Sequence, residues 1–282
     1  MKFSVMKRLI AFFYCLAVFL AAIAQDRATI TAVYSYSHPA FENAGEIKTD
    51  EMTLLANNTR SKWFNRMSEY CDSLCSTPEG KNKLQEIQIA AWVIFEPGGG
   101  ITVDKSKPAP SKDIDEYIFT NLSELSVYDK LANTASTYTE PYSEQEWNLD
   151  EGSTTEIMGY NCIMATTDYH GRKWKVWFTP ELPVSFGPWK LRGLPGLILK
   201  AETDGGFKFE IKDLGRSDEQ MLPLYPGTNY EKVDRKKALA DHKYFMSHRT
   251  TLLAAEYGAN ANLKDGVEPE YLPEFAIECD FQ

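Results

Sequence analysis

The sequence predicts a mainly β protein of the α+β class, in which a curved antiparallel sheet or open half-barrel packs on one or two helices. Two segments, 157–180 and 197–213, have the pattern of β-hairpins, because strand-like runs flank a turn in each. A third segment, 234–258, has the length and the end signals of a helix with an apolar stripe. A sheet with one apolar face needs such a layer to cover it.

The first 24 residues have the pattern of a secretory signal peptide. Basic residues at positions 2, 7 and 8 precede an apolar run over 9–20 and the sequence Ala-Ile-Ala at 22–24. The run is shorter than the roughly 20 residues of a membrane span, so we expect no transmembrane anchor after cleavage. We predict a periplasmic or secreted protein with one β-rich domain, residues 25–282.

The first half of the chain predicts short strands and a helical insertion. Residues 28–36 are rich in β-branched and aromatic types and predict a strand. Residues 51–67 predict a strand, a turn at Asn57-Asn58, and a second strand or short helix. Helical spacing of apolar residues follows, and Gly-Gly-Gly at 98–100 indicates an exposed loop. We therefore place a loop and helix insertion near 78–112, before a strand at 115–122.

The two hairpins have identifiable turns. His170-Gly171 joins the strands of the first hairpin, whose second strand alternates Trp174, Val176 and Phe178 with polar or exposed positions. In the second hairpin, Asp204-Gly205 is predicted to supply the positive φ angles of a tight turn.

A proline-rich connection, 179–193, lies between the hairpins. Its prolines lack the backbone donors of a central strand, so we expect it to run extended over the sheet or along its edge. Leu194-Pro195-Gly196-Leu197 has the sequence of a type II turn, with Gly196 at positive φ. Glycines 187 and 193 are expected where backbones pass closely. The structural motif thus comprises Gly187, Pro188, Gly193, Leu194, Pro195 and Gly196.

The last predicted element is a single helix over 234–258, opened by an Asp234 cap and closed by Gly258. It contains His242, Met246 and His248, which are potential copper ligands. We interpret them as solvated helix side chains, because His248 lies off the face that the other two share. No metal or other cofactor is expected.

Charge and cysteine content restrict the partners and the compartment. The net charge is −10, and removal of the basic leader makes it more negative, so nucleic acid and anionic lipid head groups should be repelled. Four cysteines follow the leader, an even number that favours disulfides in an oxidising compartment. We predict at least one disulfide, with Cys162 either paired or buried beneath the sheet; its possible partners are Cys71, Cys75 and Cys279.

Sequence motifs for catalysis are missing. Neither a zinc-protease HExxH, a GxSxG serine nor a phosphate-binding loop occurs, so no catalytic residue is assigned. The most informative feature is an aromatic cluster over 174–189, in which alternation assigns Trp174 and Phe178 to the core. We predict a ligand-binding or partner-binding surface from the remaining aromatics and two flanking cations: Trp177, Trp189, Phe186, Arg172 and Arg192.

The hexapeptide Gly-Leu-Pro-Gly-Leu-Ile at 193–198 resembles the GLPGLI family of exported Bacteroidetes proteins, and the whole block 159–198 is similar to the core of that family. The segments 61–73 and 144–150 resemble its earlier parts, whereas 78–112 and Asn57-Asn58 depart from it. The resemblance implies export but no defined activity. The hairpin-rich core is also similar to the open half-barrels of periplasmic lipoprotein carriers, by analogy of architecture.

Three function classes follow from these observations. The first is a non-enzymatic carrier or binding module for an apolar or amphipathic ligand, such as a lipid, peptide or glycan. The second is an accessory or structural partner of an outer-membrane protein complex. The third is a hydrolase whose site has no recognisable motif. We favour the first.

Overall fold

The computed structural model describes residues 27–40, 45–130, 134–141, 145–221, 224–257 and 275–280. The predicted signal peptide and Gly258 lie outside these ranges. Within them, no helix combines the length and the apolar character that crossing a membrane requires.

Strands dominate the described chain. They are β1 (Ile30–Pro39), β2 (Ile47–Ala56), β3 (Arg60–Phe64), β4 (Val93–Phe95), β5 (Ile101–Val103), β6 (Tyr117–Asn121), β7 (Glu124–Asp129), β8 (Ser136–Pro141), β9 (Asn148–Ile157), β10 (Tyr160–Tyr169), β11 (Arg172–Thr179), β12 (Leu197–Thr203), β13 (Lys208–Arg216) and β14 (Glu231–Lys232). The helices are α1 (Arg66–Cys75), α2 (Pro78–Trp92), α3 (Arg235–Ser247) and α4 (Arg249–Tyr257).

Twelve of these strands form one sheet in the order β14-β8-β7-β6-β3-β2-β1-β13-β12-β11-β10-β9. All neighbours pair antiparallel except β14 and β8, which are parallel. Strands β4 and β5 form a separate hairpin. The predicted mainly β fold with a large curved open sheet is confirmed.

Contacts between distant strands demonstrate the curvature. In a flat sheet, β8 and β11 would lie about 38 Å apart, because eight steps of about 4.8 Å separate them. Yet His170, at the β10–β11 turn, has its Nε2 atom 3.0 Å from Oε2 of Glu140 in β8. The sheet therefore bends round until its two halves meet.

Alternation along the strands creates two apolar layers. Leu54, Trp63 and Ile118 belong to the large core on the concave side. Their sequence neighbours Leu55, Phe64 and Tyr117 belong to a small core on the opposite side. Helix α1 covers that second layer, where the Tyr117 hydroxyl donates a 2.6 Å hydrogen bond to Asp72. Lys62 pairs there with Glu69 of the same helix.

The two predicted hairpins are present, but one turn differs from the prediction. His170 and Gly171 have φ angles of +51° and +77°, as in a type I′ turn. In the β12–β13 turn the positive φ belongs to Gly206, at +80°, and not to the Asp204-Gly205 pair. Gly205 is required for space, because a Cβ there would lie 2.2 Å from Arg172 Nη1.

The segment predicted as one helix over 234–258 contains two helices. Asp234 caps the first, since its Oδ1 accepts a 2.9 Å hydrogen bond from the Lys237 amide. That helix ends at His248, whose ring Nδ1 lies 2.9 Å from the Tyr244 carbonyl oxygen. The His248 amide bonds to Phe245 instead, at 3.1 Å, which closes the last turn and lets α4 begin at Arg249.

All four cysteines in the described part of the chain are free thiols, so the predicted disulfide is not present in this structure. Cys162 is fully buried, which is the second of the two outcomes expected for it. Burial raises the pKa of the Cys71 and Cys162 thiols to about 11. Both are therefore protonated and unreactive at neutral pH.

Candidate ligand cavity

A cavity of about 190 Å³ lies on the concave side of the sheet. Strand β1, the neighbouring ends of β6 and β7, strand β8, helix α3 and the C-terminal segment 275–280 enclose it. Its lining residues are Tyr36, His38, Glu116, Asp129, Tyr138, Phe207, Leu239, His242, Phe275, Ala276, Ile277 and Glu278. One wall is thus aromatic and aliphatic, and the floor is acidic.

Strand geometry directs two carboxylates into this cavity. Glu116 precedes β6 and has the same side-chain direction as Ile118, a concave-core residue. Asp129 ends β7 and has the direction of Val127, another concave-core residue. Tyr117 is opposite Tyr128 in the register of these strands, so Glu116 and Asp129 are the next opposed pair. Two like charges therefore face each other at the cavity floor.

Removal from bulk water favours the protonated form of both acids. Burial raises the pKa of Glu116 above its usual 4.5, and the charge of Asp129 raises it further. Lys190 and a hydrogen bond from the Trp63 side chain act in the opposite direction. Burial also raises the pKa of Asp129 above its usual 3.8. Both side chains line the cavity and are only partly exposed, so each carboxyl group loses much of its hydration.

A network of charged residues closes one end of the cavity. The Lys190 ammonium is fully buried and pairs with Glu140 and Glu278, while its Nζ lies 3.1 Å from the Tyr138 hydroxyl. Burial opposes the charge on Lys190, but these carboxylates outweigh it and hold its pKa above 10.5. Arg235 pairs with Glu278 from the other side. Each buried charge therefore has a partner of opposite sign.

Glu140 is the carboxylate that connects the two halves of the sheet. Burial alone would raise its pKa, but the hydrogen bond with His170 and the charge of Lys190 lower it to about 2. The His170 Nε2 and Glu140 Oε2 atoms are 3.0 Å apart. Glu140 is thus ionised across the physiological pH range.

Glu140, His170 and Glu278 also have the donor types of a metal site, since their ligand atoms lie within 4.8 Å of one another. The Lys190 ammonium, however, already bridges the two carboxylates. A divalent ion would have to displace a buried lysine, so we interpret this cluster as an ion-pair network.

A comparison with known protein families matches a segment that contains two residues of this network. A family model described as a protein of unknown function, Porph_ging, matches residues 170–200. This match confirms the resemblance that the GLPGLI hexapeptide predicts. We call residues 170–200 the Porph_ging segment; it contributes His170 and Lys190 to the network. No curated protein matches the chain.

Comparison with solved structures does not indicate a function. Two structures of PNGF-II, in space groups C2 and P21, align at 21% and 19% identity with TM-scores of 0.47 and 0.48. The alignments cover 77% of this chain but only 33% and 34% of PNGF-II, so this chain spans about a third of that protein. A LolA superfamily protein from Nitrosomonas europaea aligns at 10% identity over 71% of this chain and 90% of its own, with a TM-score of 0.24. All three TM-scores are below 0.5.

The prediction that the proline-rich connection runs over the surface is wrong for its second half, whereas Pro180 and Pro183 in the first half are exposed. Residues 186–192 are all buried, including the predicted binding residues Phe186 and Trp189. The loop satisfies its own backbone, because the Gly187 amide donates to Leu191 at 2.9 Å and Phe186 bridges to Arg192. A backbone paired in this way can be buried without loss of hydrogen bonds.

The predicted aromatic platform of Trp177 and Trp189 is not assembled. Trp189 stacks on Trp174, with ring centroids 5.5 Å apart. Trp177 is three residues from Trp174 on one strand and therefore points to the opposite face of the sheet. There it borders an open groove, between the ammonium groups of Lys175 and Lys200 at 4.8 and 4.6 Å from its ring centre. Its ring is the one predicted binding aromatic that remains partly exposed.

The two arginines predicted to belong to a binding surface make contacts within the fold instead. The Arg172 guanidinium lies 5.1 Å from the Phe207 ring centre and donates to the Ala276 carbonyl. Arg192 is buried, and its backbone is held by two polar side chains of the 145–147 segment: its amide donates to Gln145 at 3.0 Å and its carbonyl accepts from Trp147 at 2.9 Å. Neither residue lines the cavity.

The glycine motif has a different physical basis at each position. Gly196 is absent from the positive-φ residues, so the predicted type II turn is wrong. A Cβ at Gly196 would lie 2.0 Å from the Thr179 carbonyl oxygen, and one at Gly187 would lie 2.8 Å from Ile198 Cδ1. Gly193, in contrast, has a φ of +92°. Leu194 is buried in the concave core, and Pro188 accepts the Leu191 amide at 3.2 Å.

Sequence reasoning missed the acidic floor. No motif marks these carboxylates, and Glu278 is far in sequence from Glu116 and Asp129. One local pattern does indicate the position of Glu116. It directly precedes an alternating strand and lies two residues before the buried Ile118, so both side chains point to the same face. No local pattern identifies Glu278, because only the tertiary fold brings the C-terminal segment to the cavity.

Proposed function

We propose that this protein is a non-enzymatic binding module of the cell envelope that takes up a small amphipathic ligand on the concave side of its sheet. The observation that carries the proposal is the cavity itself, with an apolar wall facing an acidic floor. Such a combination of apolar lining and few convergent polar groups is typical of small-molecule sites.

The size of the cavity limits the ligand. Its volume of about 190 Å³ is only a little larger than the ~150 Å³ of an apolar cavity that binds benzene. Tyr36 stacks on Phe209 with ring centroids 4.7 Å apart, which gives the apolar wall a rigid aromatic surface. A phenyl-sized group with a short polar end fits this space, whereas a complete lipid chain does not.

The floor determines the preferred polar end. Glu116, Asp129 and Glu278 line the cavity, and the one buried ammonium beside them, Lys190, is already paired with Glu140 and Glu278. A bound ammonium group would favour the ionised forms of Glu116 and Asp129 and pair with them, whereas a bound carboxylate would be repelled by the ionised Glu278 and would oppose ionisation of the other two acids. We therefore expect the order cationic, then neutral, then anionic for ligands of equal size.

The test compares three compounds with the same ring: benzylamine, benzyl alcohol and benzoate. Binding to the leaderless protein is measured by calorimetry or saturation-transfer NMR at pH 7. Leu239→Phe fills the cavity from helix α3 and should weaken benzylamine binding about tenfold or more. Ala240→Phe adds the same ring to the exposed side of that helix and should leave binding unchanged.

Two results would contradict the proposal. One is the lack of any interaction with the three compounds at millimolar concentration while both variants melt like the parent protein. The other is equal binding by the two variants, which would locate the bound compound outside the cavity.

A further inference from the structure

The hairpin of β4 and β5 carries an apolar face that no other described element covers. In its register Val93 is opposite Val103 and Phe95 is opposite Ile101. Opposed residues share one face of a two-stranded ribbon, so all four lie side by side. Phe95, Ile101 and Val103 are 72%, 64% and 59% exposed. These side chains form a continuous apolar patch, unlike the single exposed apolar residues that are normal on protein surfaces.

The hairpin is anchored at its base and free at its tip. Two strands alone are marginally stable in water. Here the Asp104 amide donates to the Trp92 carbonyl at 2.8 Å, and the Trp92 indole N–H donates to the Lys107 carbonyl at 2.8 Å. The strands therefore continue directly from helix α2, which holds the apolar tip away from the large sheet.

Amphipathic side chains surround the base of this patch. The Lys105 ammonium lies 5.2 Å from the centre of the Trp92 ring, and Lys107 follows two residues later. The segment 78–112 contains five lysines and four acidic residues, although the whole chain has a net charge of −10. Its local net charge is therefore +1, so a negatively charged surface repels this segment less than it repels the acidic chain as a whole. Indole and lysine groups behind an apolar tip are the side chains that suit a head-group layer.

We propose that the β4–β5 hairpin docks on a lipid bilayer surface, with Phe95, Ile101 and Val103 in the interface and Trp92 and Lys105 at head-group level. This site is separate from the cavity and does not depend on what the cavity binds. Apolar insertion supplies the attraction, and the lysines add a contribution that grows with anionic lipid.

Vesicle flotation of the leaderless protein tests the proposal. The probes are phosphatidylcholine vesicles with and without phosphatidylglycerol. The double variant Phe95→Ser/Ile101→Ser should reduce the bound fraction at least tenfold. Leu122→Ser/Leu149→Ser removes two other exposed apolar residues, which belong to the large sheet region and are 63% and 49% exposed, and this variant should bind like the parent protein. Lys105→Glu should reduce binding only to vesicles that contain phosphatidylglycerol.

Three outcomes would overturn the proposal: no flotation of the parent protein, equal flotation of both double variants, or a change of oligomeric state. For the last, sedimentation velocity without lipid would show a dimer that only Phe95→Ser/Ile101→Ser dissociates, and the patch would then be an interface between two copies. Circular dichroism of all variants verifies that the fold is retained.

Discussion

At the scale of single residues, Trp189 has an unusual backbone and a deeply buried ring. Its φ angle is +56°, in the left-handed region that costs a non-glycine residue about 1 kcal/mol or more. Its indole contacts Trp174, Tyr169 and the Lys190 ammonium. Burial of a large aromatic ring offsets this strain. The ring is thus a core anchor, and Trp189 is not available to an external ligand.

The close packing around Gly196 predicts that even a methyl group at this position destabilises the fold. A methyl group at this position would meet backbone atoms of Thr179 and Pro180, which cannot rotate away. We expect Gly196→Ala to lower the free energy of unfolding by about 3 kcal/mol. Gly215→Ala is the control, because its Cβ would lie 3.7 Å from Thr31 Cγ2 in ordinary contact. That variant should be stabilised by about 0.5 kcal/mol.

Urea unfolding of both glycine variants gives the two free energies. If Gly196→Ala unfolds at the same urea concentration as the parent protein, the close approach to Thr179 is not a constraint on folding in solution.

At the scale of elements, Arg235 attaches the C-terminal segment to helix α3. A cation in the first turn of a helix opposes the helix dipole. Here carboxylates of the C-terminal segment compensate, because Arg235 Nε donates to Glu278 at 2.7 Å and the same guanidinium pairs with Asp280. The Cys279 amide also donates to the His170 carbonyl at 2.9 Å. The segment 275–280 thus joins α3 to the β10–β11 turn and closes the cavity.

We expect Arg235→Gln to release this segment. Loss of Arg235 from this largely buried ion network leaves Lys190 as the remaining ion-pair partner of Glu278, which should cost about 2–4 kcal/mol of stability. Hydrogen exchange at Cys279 should become faster. Lys237→Gln is the matched control on the same helix, since its pair with Asp241 is exposed and should not affect stability measurably.

Thermal melts measure the stability of the two variants, and hydrogen exchange measures the protection of the Cys279 amide. Unchanged protection of Cys279 in Arg235→Gln would mean that the backbone contacts alone hold the segment in place.

At the scale of the whole molecule, the closed curvature of the sheet brings groups with opposite pH responses into one interior. Glu140 and Asp280 have lowered pKa values, because pairing with Lys190, His170 and Arg235 outweighs burial. Their stabilising contribution is present above the usual carboxyl range and is lost as the pH falls. Glu116 and Asp129 have raised pKa values, so their protonated forms are favoured by folding and stability falls as the pH rises.

The Glu116→Gln variant tests the predicted loss of stability at alkaline pH. The folded protein keeps the Glu116 proton above pH 4.5, whereas the unfolded chain releases it there. Stability therefore decreases from pH 4.5 upward until Glu116 ionises in the folded state. Removal of the carboxyl should stabilise the protein at pH 9 by about 1–3 kcal/mol relative to the parent, with a smaller difference at pH 5.

Melting temperatures at pH 5 and pH 9 measure this difference. The control is Glu124→Gln, which changes an exposed acid on β7. Its melting temperature should equal that of the parent protein at both pH values. A gain for Glu116→Gln that is equal at the two pH values would show that Glu116 is not protonated in the folded state.

Local patterns of this sequence predict the two hairpins, the His170-Gly171 turn and the Asp234 helix cap. Alternation of Trp174, Val176 and Phe178 specifies one buried face, and His170-Gly171 specifies a type I′ turn. The motif at 193–198 likewise identifies the Porph_ging segment from residues that are adjacent in the chain. These features depend on neighbours within a few residues, and the sequence contains all the information that they need.

Only the tertiary structure decided where those elements meet. Prolines at 183 and 188 predict an exposed connection, yet 186–192 plug the concave core because the loop pairs its own backbone. The cavity combines β1, β6, β7, α3 and 275–280, which the curvature of a twelve-stranded sheet brings together. Glu116, Asp129 and Lys190 resemble surface charges in the sequence. Their burial and their partners are consequences of long-range packing, which a local pattern does not encode.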